Sequence, residues 1–347
     1  MENIVTTDIE MLIKNGDRYT DIKLATGLII DSNNYESRRN ESTGVSTGTY
    51  GRYWFYVPKG KVIFKTYDDY LEEIQNCRMF NELLCYELAK QMGIRCAEYE
   101  PASLDGHISG VATYNVAQPN EKLVSNLDLF RELNKTSTQD LTSYWFVLDD
   151  LIDRGYKINK QKVMLDIYKI VVFDSLTMQS DRNSANVFFL INEETKELKV
   201  APLIDNEFAF NLQNLSKNIK YDLYISKGKI EDTLDYIYKM CTVDDKVKDD
   251  SSFKENITNV IDLAHLDSKY GRVLKNFLKG FNVKKAINKL KKQGVELSHR
   301  YEEFLLSSEE VIKDLYREKL AEYQAKRERD MYFNPIPTNK HMEDLII

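Results

Sequence analysis

The segment SLTMQSDRNSANVFFL, residues 175–190, decides the fold, because a highly polar cluster stands between two apolar stretches. Burying such polar groups costs free energy unless each group finds a partner. A second acid, Asp205, follows soon after in the segment VAPLIDNEFAF, residues 200–210. The pattern therefore predicts a structured polar site that is anchored in the core by the apolar residues beside it.

A β-hairpin is expected to bring the two parts of this site together. The spacing predicts one strand at residues 187–191 and a second at residues 198–204. A hairpin returns the end of its second strand to the start of its first, so Asp205 is expected beside Asn186. These two residues and Asp181 offer oxygen ligands of the kind that Mg²⁺ prefers. An Asp-x-x-x-x-Asn loop with a later metal-binding Asp is typical of phosphoryl transfer.

The N-terminal region contains candidate ligands for nucleotide phosphates. Lys65 lies in the apolar strand segment KVIFKTY, and Glu82 lies on the helix that follows it. A strand lysine paired with a helix glutamate positions the α- and β-phosphates in kinases. Gly44, Gly48 and Gly51 precede this strand, and their backbone N–H groups are expected to approach the phosphates.

The hydrophobic pattern predicts strands first and helices later. Residues 22–66 are β-rich, residues 68–92 have helical spacing that Gly93 ends, and further strands follow to about residue 117. Helix dominates after about residue 120, including a helix with a serine cap that begins at SSEEVIKD, residues 307–314. The order favours an α+β protein of two lobes. It divides into a β-rich N-lobe (1–117), a mainly helical C-lobe (118–330) and a tail (331–347).

Composition narrows the class of protein. The chain has 347 residues, 42% hydrophobic residues and a net charge of −7, a balance typical of a soluble globular protein. The acidic balance argues against broad nucleic-acid binding, although a local basic patch is compatible with it. The sequence has no secretory signal, no membrane-spanning apolar run and no CxxC pair among its four cysteines. It therefore predicts a cytoplasmic protein with reduced thiols and no structural zinc.

Three segments together resemble the HipA-like serine/threonine kinases. They are FKTY with NELLCYELAKQMGIRCAEYE (residues 64–67 and 81–100), DSLTMQSDRNSANVFFL (174–190) and ELKVAPLIDNEFAF (197–210). The resemblance covers about residues 50–325 and is most specific at 174–210. The fold of this family is distantly related to those of the phosphatidylinositol kinases and eukaryotic protein kinases, so the resemblance implies a two-lobed protein-kinase-like fold. The resemblance implies phosphorylation of a Ser or Thr hydroxyl on a protein, with ATP and Mg²⁺ as cofactors.

The resemblance also implies a role for each matching residue of the C-lobe. Asp181 becomes the catalytic acid that accepts the proton of the substrate hydroxyl, and Arg182 supports its loop. Asn186 and Asp205 become the Mg²⁺ ligands. One departure is Asn183, where many relatives have histidine.

In the N-lobe the resemblance makes Lys65 the nucleotide-phosphate lysine and Glu82 its helix partner. Thr113 and Asn115 fall near the adenine hinge by position alone. The glycine-rich loop lacks a GxGxxG pattern, and Asn-Glu follows the metal-binding aspartate in place of Phe-Gly. Some relatives phosphorylate a serine in this loop and so inactivate themselves. The candidates here are Ser42, Thr43, Ser46, Thr47 and Thr49.

Simpler structural alternatives exist for each assignment. Asp181 and Asn186 are also common in turns and Asx caps. Lys65 would suit a solvated edge strand, and Glu82 a solvated helix face among other acids. The loop rich in Gly, Ser and Thr would also suit a linker without a ligand.

The function has alternatives as well. A lipid or small-molecule kinase would use the same phosphate chemistry, and a pseudokinase would keep the fold as a binding module. The expected partners are a protein substrate and, by the resemblance, an antitoxin-like protein in a toxin–antitoxin pair. Neither a membrane nor direct nucleic-acid binding is expected.

Overall fold

The computed structural model of this chain has a mixed α+β architecture, as the sequence predicts. Its described residues form two β-sheets and eight helices. The structure describes residues 22–24, 29–30, 35–37, 52–57, 60–66, 72–104, 107–133, 141–179, 182, 186–210 and 253–333. Of the strands before residue 67 it describes the backbone alone.

The first sheet has seven strands, in the order β2-β1-β6-β7-β5-β4-β3. The strands are β1 (Ile22–Leu24), β2 (Ile29–Ile30), β3 (Tyr35–Ser37), β4 (Arg52–Val57), β5 (Gly60–Thr66), β6 (Tyr99–Leu104) and β7 (His107–Tyr114). Strands β4 and β5 form an antiparallel pair, which agrees with the β-rich character predicted for residues 22–66. Strands β1 and β2 also pair with each other, with Ile22 opposite Ile30.

A single long helix packs against this sheet. Helix α1 (Glu72–Met92) buries Phe80, Leu84 and Leu88 completely, at the i, i+4 spacing that defines one helix face. Gly93 follows with φ of +72°, a left-handed conformation that glycine adopts without steric cost. The predicted stop at Gly93 is therefore confirmed.

The second sheet has four strands, in the order β8-β10-β11-β9. Its strands and the helices between them are β8 (Glu121–Ser125), α2 (Asn126–Glu132), α3 (Leu141–Asp153), β9 (Lys157–Ile158), α4 (Lys160–Thr177), β10 (Phe188–Asn192) and β11 (Glu197–Val200). The predicted hairpin is confirmed as β10 paired with β11, with Phe189 opposite Val200. Strand β11 ends earlier than predicted, because Pro202 has no N–H to continue the ladder.

Four helices complete the described fold: α5 (Phe253–Leu266), α6 (Ser268–Gly280), α7 (Val283–Lys292) and α8 (His299–Phe333). Asp267 and Asn282 cap α6 and α7 by accepting hydrogen bonds from backbone N–H groups of the first turn. The predicted serine cap at residue 307 or 308 is wrong. Ser308 lies inside α8, where its buried hydroxyl donates to the Phe304 carbonyl at 2.7 Å.

Helices α1 and α6 approach each other so closely that only glycine fits at Gly280. A Cβ at Gly280 would lie 2.7 Å from the Gln91 carbonyl oxygen and 3.1 Å from the Met92 Cα. Both of these neighbours are backbone atoms, which cannot move aside as a flexible side chain would. We expect Gly280→Ala to lower the free energy of unfolding by about 1–3 kcal/mol, the usual cost of overpacking.

Urea unfolding would measure this effect. The matched control is Asn276→Ala, an exposed position on the same helix, which is expected to change stability by less than about 0.5 kcal/mol. Equal midpoints for the two variants would contradict the close approach of α1 and α6.

Candidate active site

Arg182 holds together the segments that form the polar site. Its guanidinium donates to both carboxylate oxygens of Asp174, at 3.1 to 3.3 Å. It also donates to the backbone carbonyls of Asn186 at 3.3 Å and Ile204 at 2.8 Å. A further donor reaches the side-chain oxygen of Asn206 at 2.6 Å. One side chain therefore joins the end of α4, the start of the hairpin and the segment that carries Asp205.

The pair of Arg182 and Asp174 is buried, with exposed side-chain fractions of 8% and 13%. Burial raises the pKa of the Asp174 carboxyl, an effect that Arg182 opposes. Burial lowers the pKa of Arg182, but the charge and hydrogen bond of Asp174, together with the charges of Asp205 and Cys85, raise the pKa overall. A buried ion pair of this kind is stable only while both partners and their hydrogen bonds are present.

Asp205 is fixed through its backbone. Its N–H donates to the Tyr99 hydroxyl at 3.0 Å, and its carbonyl accepts from the Gln179 side chain at 3.2 Å. Its φ is +60°, in the left-handed region, where aspartate occurs several-fold more often than most residues. Strained backbone of this kind concentrates at functional sites. The chain thus turns sharply at the predicted metal ligand.

An acidic cluster surrounds this turn. Carboxylate oxygens of Glu82, Asp205 and Glu207 all lie within 4.8 Å of one another. Glu82 is fully buried, and it accepts a hydrogen bond from the Asn206 N–H at 2.8 Å. The alternative that Glu82 belongs to a solvated helix face is therefore wrong. Burial, and next the charge of Glu82, raise the pKa of the Tyr99 phenol, so this hydroxyl stays protonated.

A second network joins the same turn to helices α1 and α8. The Tyr301 hydroxyl donates to the side-chain oxygen of Asn81, whose amide donates to the Glu207 carbonyl at 3.2 Å. The Arg78 guanidinium lies 3.9 Å from the Glu207 carboxylate and stacks over the Phe208 ring at 4.3 Å. Residues 205–208 are thus held from both sides by side chains that are distant in sequence.

The predicted nucleotide residues fall along β5 and β7. Lys65 lies opposite Val111 in the register of these strands, but its side chain is outside the described part of the molecule. Thr113 is buried, and its hydroxyl has no hydrogen-bond partner within the described residues. Asn115 is exposed after the end of β7, and its side-chain oxygen accepts from the Ala117 N–H at 3.1 Å.

The structure brings Glu82, Arg182, Asp205 and the Asn186 backbone into one region, and the roles predicted for these residues stay predictions. Asp181, Gly44, Gly48 and Gly51 lie outside the described residues, and their roles stay predictions. The pairing of Lys65 with Glu82 also stays a prediction.

Sequence reasoning missed several residues that shape this region: Asp174, Asn206, Glu207, Tyr99, Asn81 and Tyr301. Of these residues, Asp174 could have been identified from the sequence. It lies within the apolar helical run KIVVFDSLTM, where an acidic side chain requires a buried partner.

The residues of the acidic cluster fit a divalent cation. The carboxylates of Glu82, Asp205 and Glu207 supply hard oxygen ligands, which suit Mg²⁺. Thr113 lies on the strand predicted to border the adenine. Its buried hydroxyl makes no hydrogen bond within the described residues. Within the described part of the chain, no helix is both long and apolar enough to cross a bilayer.

Solved structures with which this chain aligns include a kinase and a protein of a toxin–antitoxin system. The crystal structure of CtkA, a proinflammatory kinase of Helicobacter pylori, matches with a TM-score of 0.57 and 18% identity, over 81% of this chain and 95% of that one. HipA, solved with HipB and operator DNA from a toxin–antitoxin system of Shewanella oneidensis, has a TM-score of 0.47 and 14% identity, over 81% of this chain and 66% of its own. No protein-family model and no curated protein matches the sequence. The predicted resemblance is thus confirmed at the level of a kinase fold, which this chain shares with CtkA.

Proposed function

We propose that this chain is an ATP- and Mg²⁺-dependent kinase that phosphorylates a Ser or Thr hydroxyl on a protein. The observation that carries the proposal is the buried junction at Arg182, which places the Asn186 segment beside the acidic cluster around Asp205. The shared fold with a solved kinase supports the same chemistry. We also propose that the chain divides into two lobes at residue 117 and that a tail begins at residue 331.

Asp205 and Asn186 would hold the metal ion, with Glu82 and Glu207 as neighbouring carboxylates. When bound, Mg²⁺ would neutralise negative charge on the transferred phosphoryl group. The protein's own contribution is orientation. The backbone of Asp205 is fixed by hydrogen bonds to Tyr99 and Gln179. The position from which its carboxylate extends would therefore be set before nucleotide binds.

Asp181 would accept the proton of the substrate hydroxyl. It immediately precedes Arg182, whose guanidinium is anchored to Asp174 and to two backbone carbonyls. Anchoring the adjacent residue would limit the positions that Asp181 can take, which is what general-base catalysis requires. Arg182 is a positioning residue in this proposal, since it acts through the loop.

Lys65 would bind the α- and β-phosphates. Residues two apart on a strand share a face of the sheet, so position 65 shares a face with position 63. Ile63 lies opposite Thr113, and Thr113 lies opposite Tyr99. The register therefore supports a location for position 65 on the face of the sheet that carries Tyr99, next to α1 and Glu82.

The chemical class of the phosphate acceptor, protein or lipid, distinguishes this proposal from the alternative of a lipid kinase. The chain would be incubated with γ-labelled ATP and Mg²⁺, once with a Ser/Thr peptide library and once with phosphoinositide vesicles. We expect label on the peptides and none on the lipid. Label on the lipid alone would indicate a lipid kinase, and nucleotide binding with no transfer to any acceptor would indicate a pseudokinase. A toxin role, an antitoxin-like partner and autophosphorylation between residues 42 and 49 stay proposals drawn from the resemblance.

The hydroxyl of Tyr301 is expected to support transfer through Asn81 and Glu207. We expect Tyr301→Phe to cost about 0.5–1.5 kcal/mol of stability, because the hydrogen bond to the buried Asn81 is lost. We also expect it to slow transfer, because Asn81 no longer fixes the turn beside Asp205.

Tyr316→Phe is the matched control for this variant. It removes another buried hydroxyl, one that shares a 2.7 Å hydrogen bond with Ser175. Chemical unfolding and steady-state kinetics of both variants would separate the two effects. Equal losses of transfer rate at equal losses of stability would contradict a specific role for Tyr301.

A further inference from the structure

The strongest charge asymmetry of the sequence lies in helices α6 and α7. Residues 268–295 contain no Asp or Glu, although the chain as a whole has 55 acidic and 48 basic residues. The basic residues of this segment are Lys269, Arg272, Lys275, Lys279, Lys284, Lys285, Lys289, Lys291 and Lys292. A segment so biased within an acidic protein indicates an interaction surface.

Several basic residues of this segment line one surface groove. Between α7 and the end of α1 lies a surface groove of about 680 Å³, which we call the basic groove. Five lysines line it: Lys90, Lys284, Lys285, Lys289 and Lys292. Glu87 is the acidic residue among its lining residues.

Glu87 does not neutralise this groove. Its carboxylate is buried, and it binds Lys289 at 2.6 Å and Lys90 at 3.6 Å. Burial and the neighbouring Lys289 lower the pKa of Lys90, whereas the bond to Glu87 raises that of Lys289. One carboxylate faces five ammonium groups, so a bound anionic segment would relieve their mutual repulsion.

A second cleft of about 430 Å³ adjoins the basic groove and shares Glu87, Lys90, Lys289 and Lys292 with it. Three tyrosines, Tyr86, Tyr99 and Tyr114, line this cleft together with Glu98, Glu100 and Gln293. Its chemistry therefore differs from that of the groove, because aromatic rings and carboxylates stand beside the lysines.

We propose that the basic groove and its adjoining cleft dock an acidic segment of a protein partner. Acidic side chains of the segment would lie along the lysines. Glu98, which is exposed, would accept hydrogen bonds from its backbone or from a basic side chain. Tyr86 and Tyr114, which are partly exposed, would pack against an apolar side chain. Among the described lining residues, Tyr99 alone also belongs to the site proposed for phosphoryl transfer, where its hydroxyl accepts from the Asp205 N–H. The lysines of the groove lie outside that site, so the inference does not depend on that activity.

The observations favour a protein over a nucleic acid. The carboxylates of Glu98 and Glu100 would repel a phosphate backbone that continued into the cleft. The net charge of −7 also opposes approach of a long polyanion.

The test uses the full chain and a fluorescein-labelled poly-glutamate peptide with one central tyrosine, followed by anisotropy. The variant is Lys285→Glu with Lys292→Glu, two exposed positions of the groove. We expect its affinity to fall at least about tenfold, because each reversal replaces an attraction by a repulsion. The charge-matched control is Lys162→Glu with Lys326→Glu, two exposed lysines on α4 and α8 that keep the same net charge. The control is expected to bind within about twofold of the wild type.

Equal losses of affinity in the two double variants would overturn the proposal, because the binding would then reflect overall charge. Competition by a duplex DNA of matched charge tests the choice of partner. Displacement of the peptide by DNA at lower concentration than by unlabelled peptide would overturn it in favour of nucleic acid. Melting temperatures would show that both variants fold, and Lys285→Gln with Lys292→Gln would replace the reversal if that variant did not.

Discussion

Asp205→Asn is expected to lower the rate of phosphoryl transfer more than about 100-fold while the fold is kept. Loss of a residue that merely supports a metal ligand costs about 10- to 100-fold, and Asp205 is proposed as a ligand itself. Asparagine has the same shape and tolerates the positive φ of this position, so the turn at residue 205 should persist. Steady-state transfer of the γ-phosphate, measured across a range of Mg²⁺ concentrations, would test the expectation.

Asp262→Asn is the control for this substitution, because Asp262 is exposed on α5, outside the acidic cluster. The control is expected to transfer phosphate at the rate of the wild type. Thermal melting should give similar midpoints for all three proteins. A rate for Asp205→Asn within a few-fold of the wild type would contradict its role as a metal ligand.

The largest loss of stability is expected from Arg182→Ala. Removing one partner of a buried ion pair costs about 3–5 kcal/mol, because the remaining charge is left without compensation. Here that charge is Asp174, and the carbonyls of Asn186 and Ile204 lose a donor as well. Arg182→Lys should fall between the wild type and the alanine variant, because lysine keeps the charge but not the planar set of donors. Urea unfolding would measure each variant.

Arg154→Ala provides the comparison for a surface arginine. Arg154 is exposed and donates to the Glu132 carbonyl at 3.2 Å, so its loss should change stability by less than about 0.5 kcal/mol. A double-mutant cycle adds Asp174→Asn, which should cost less in the Arg182→Ala background than in the wild type. An Arg182→Ala protein within about 1 kcal/mol of the wild type would contradict the role given to this ion pair.

The hairpin and the polar loop could be predicted because the sequence patterns that indicate them are local. The apolar runs within residues 187–200 belong to one hairpin. The polar cluster that precedes them is visible without knowledge of any distant residue. Strand β8 was not predicted, since the segment EKLVS becomes a strand only by pairing with β10. The serine cap failed for a similar reason. A serine before two glutamates is the same sequence pattern at the start of a helix and in its interior. Ser308 lies in the interior, where its hydroxyl is buried.

The partners within the candidate site could not be predicted from local patterns. Arg182 was given a supporting role by resemblance alone, and its contacts reach residues as far along the chain as Asn206. Glu82 had two open interpretations, a partner of Lys65 and a solvated helix residue. Its burial and its contact with the Asn206 N–H exclude the second, and the first stays a prediction. The Tyr301 contact joins residues 220 positions apart, a separation at which sequence spacing carries no information.

Intact-mass spectrometry would test the central claim most directly. The wild type, Asp181→Ala and Asp205→Ala would each be incubated with ATP, Mg²⁺ and a Ser/Thr peptide library. The account predicts phosphate on the wild-type chain or on a peptide, and none with either variant. Equal phosphorylation by a variant and the wild type, or no phosphate on any acceptor with the wild type, would contradict it.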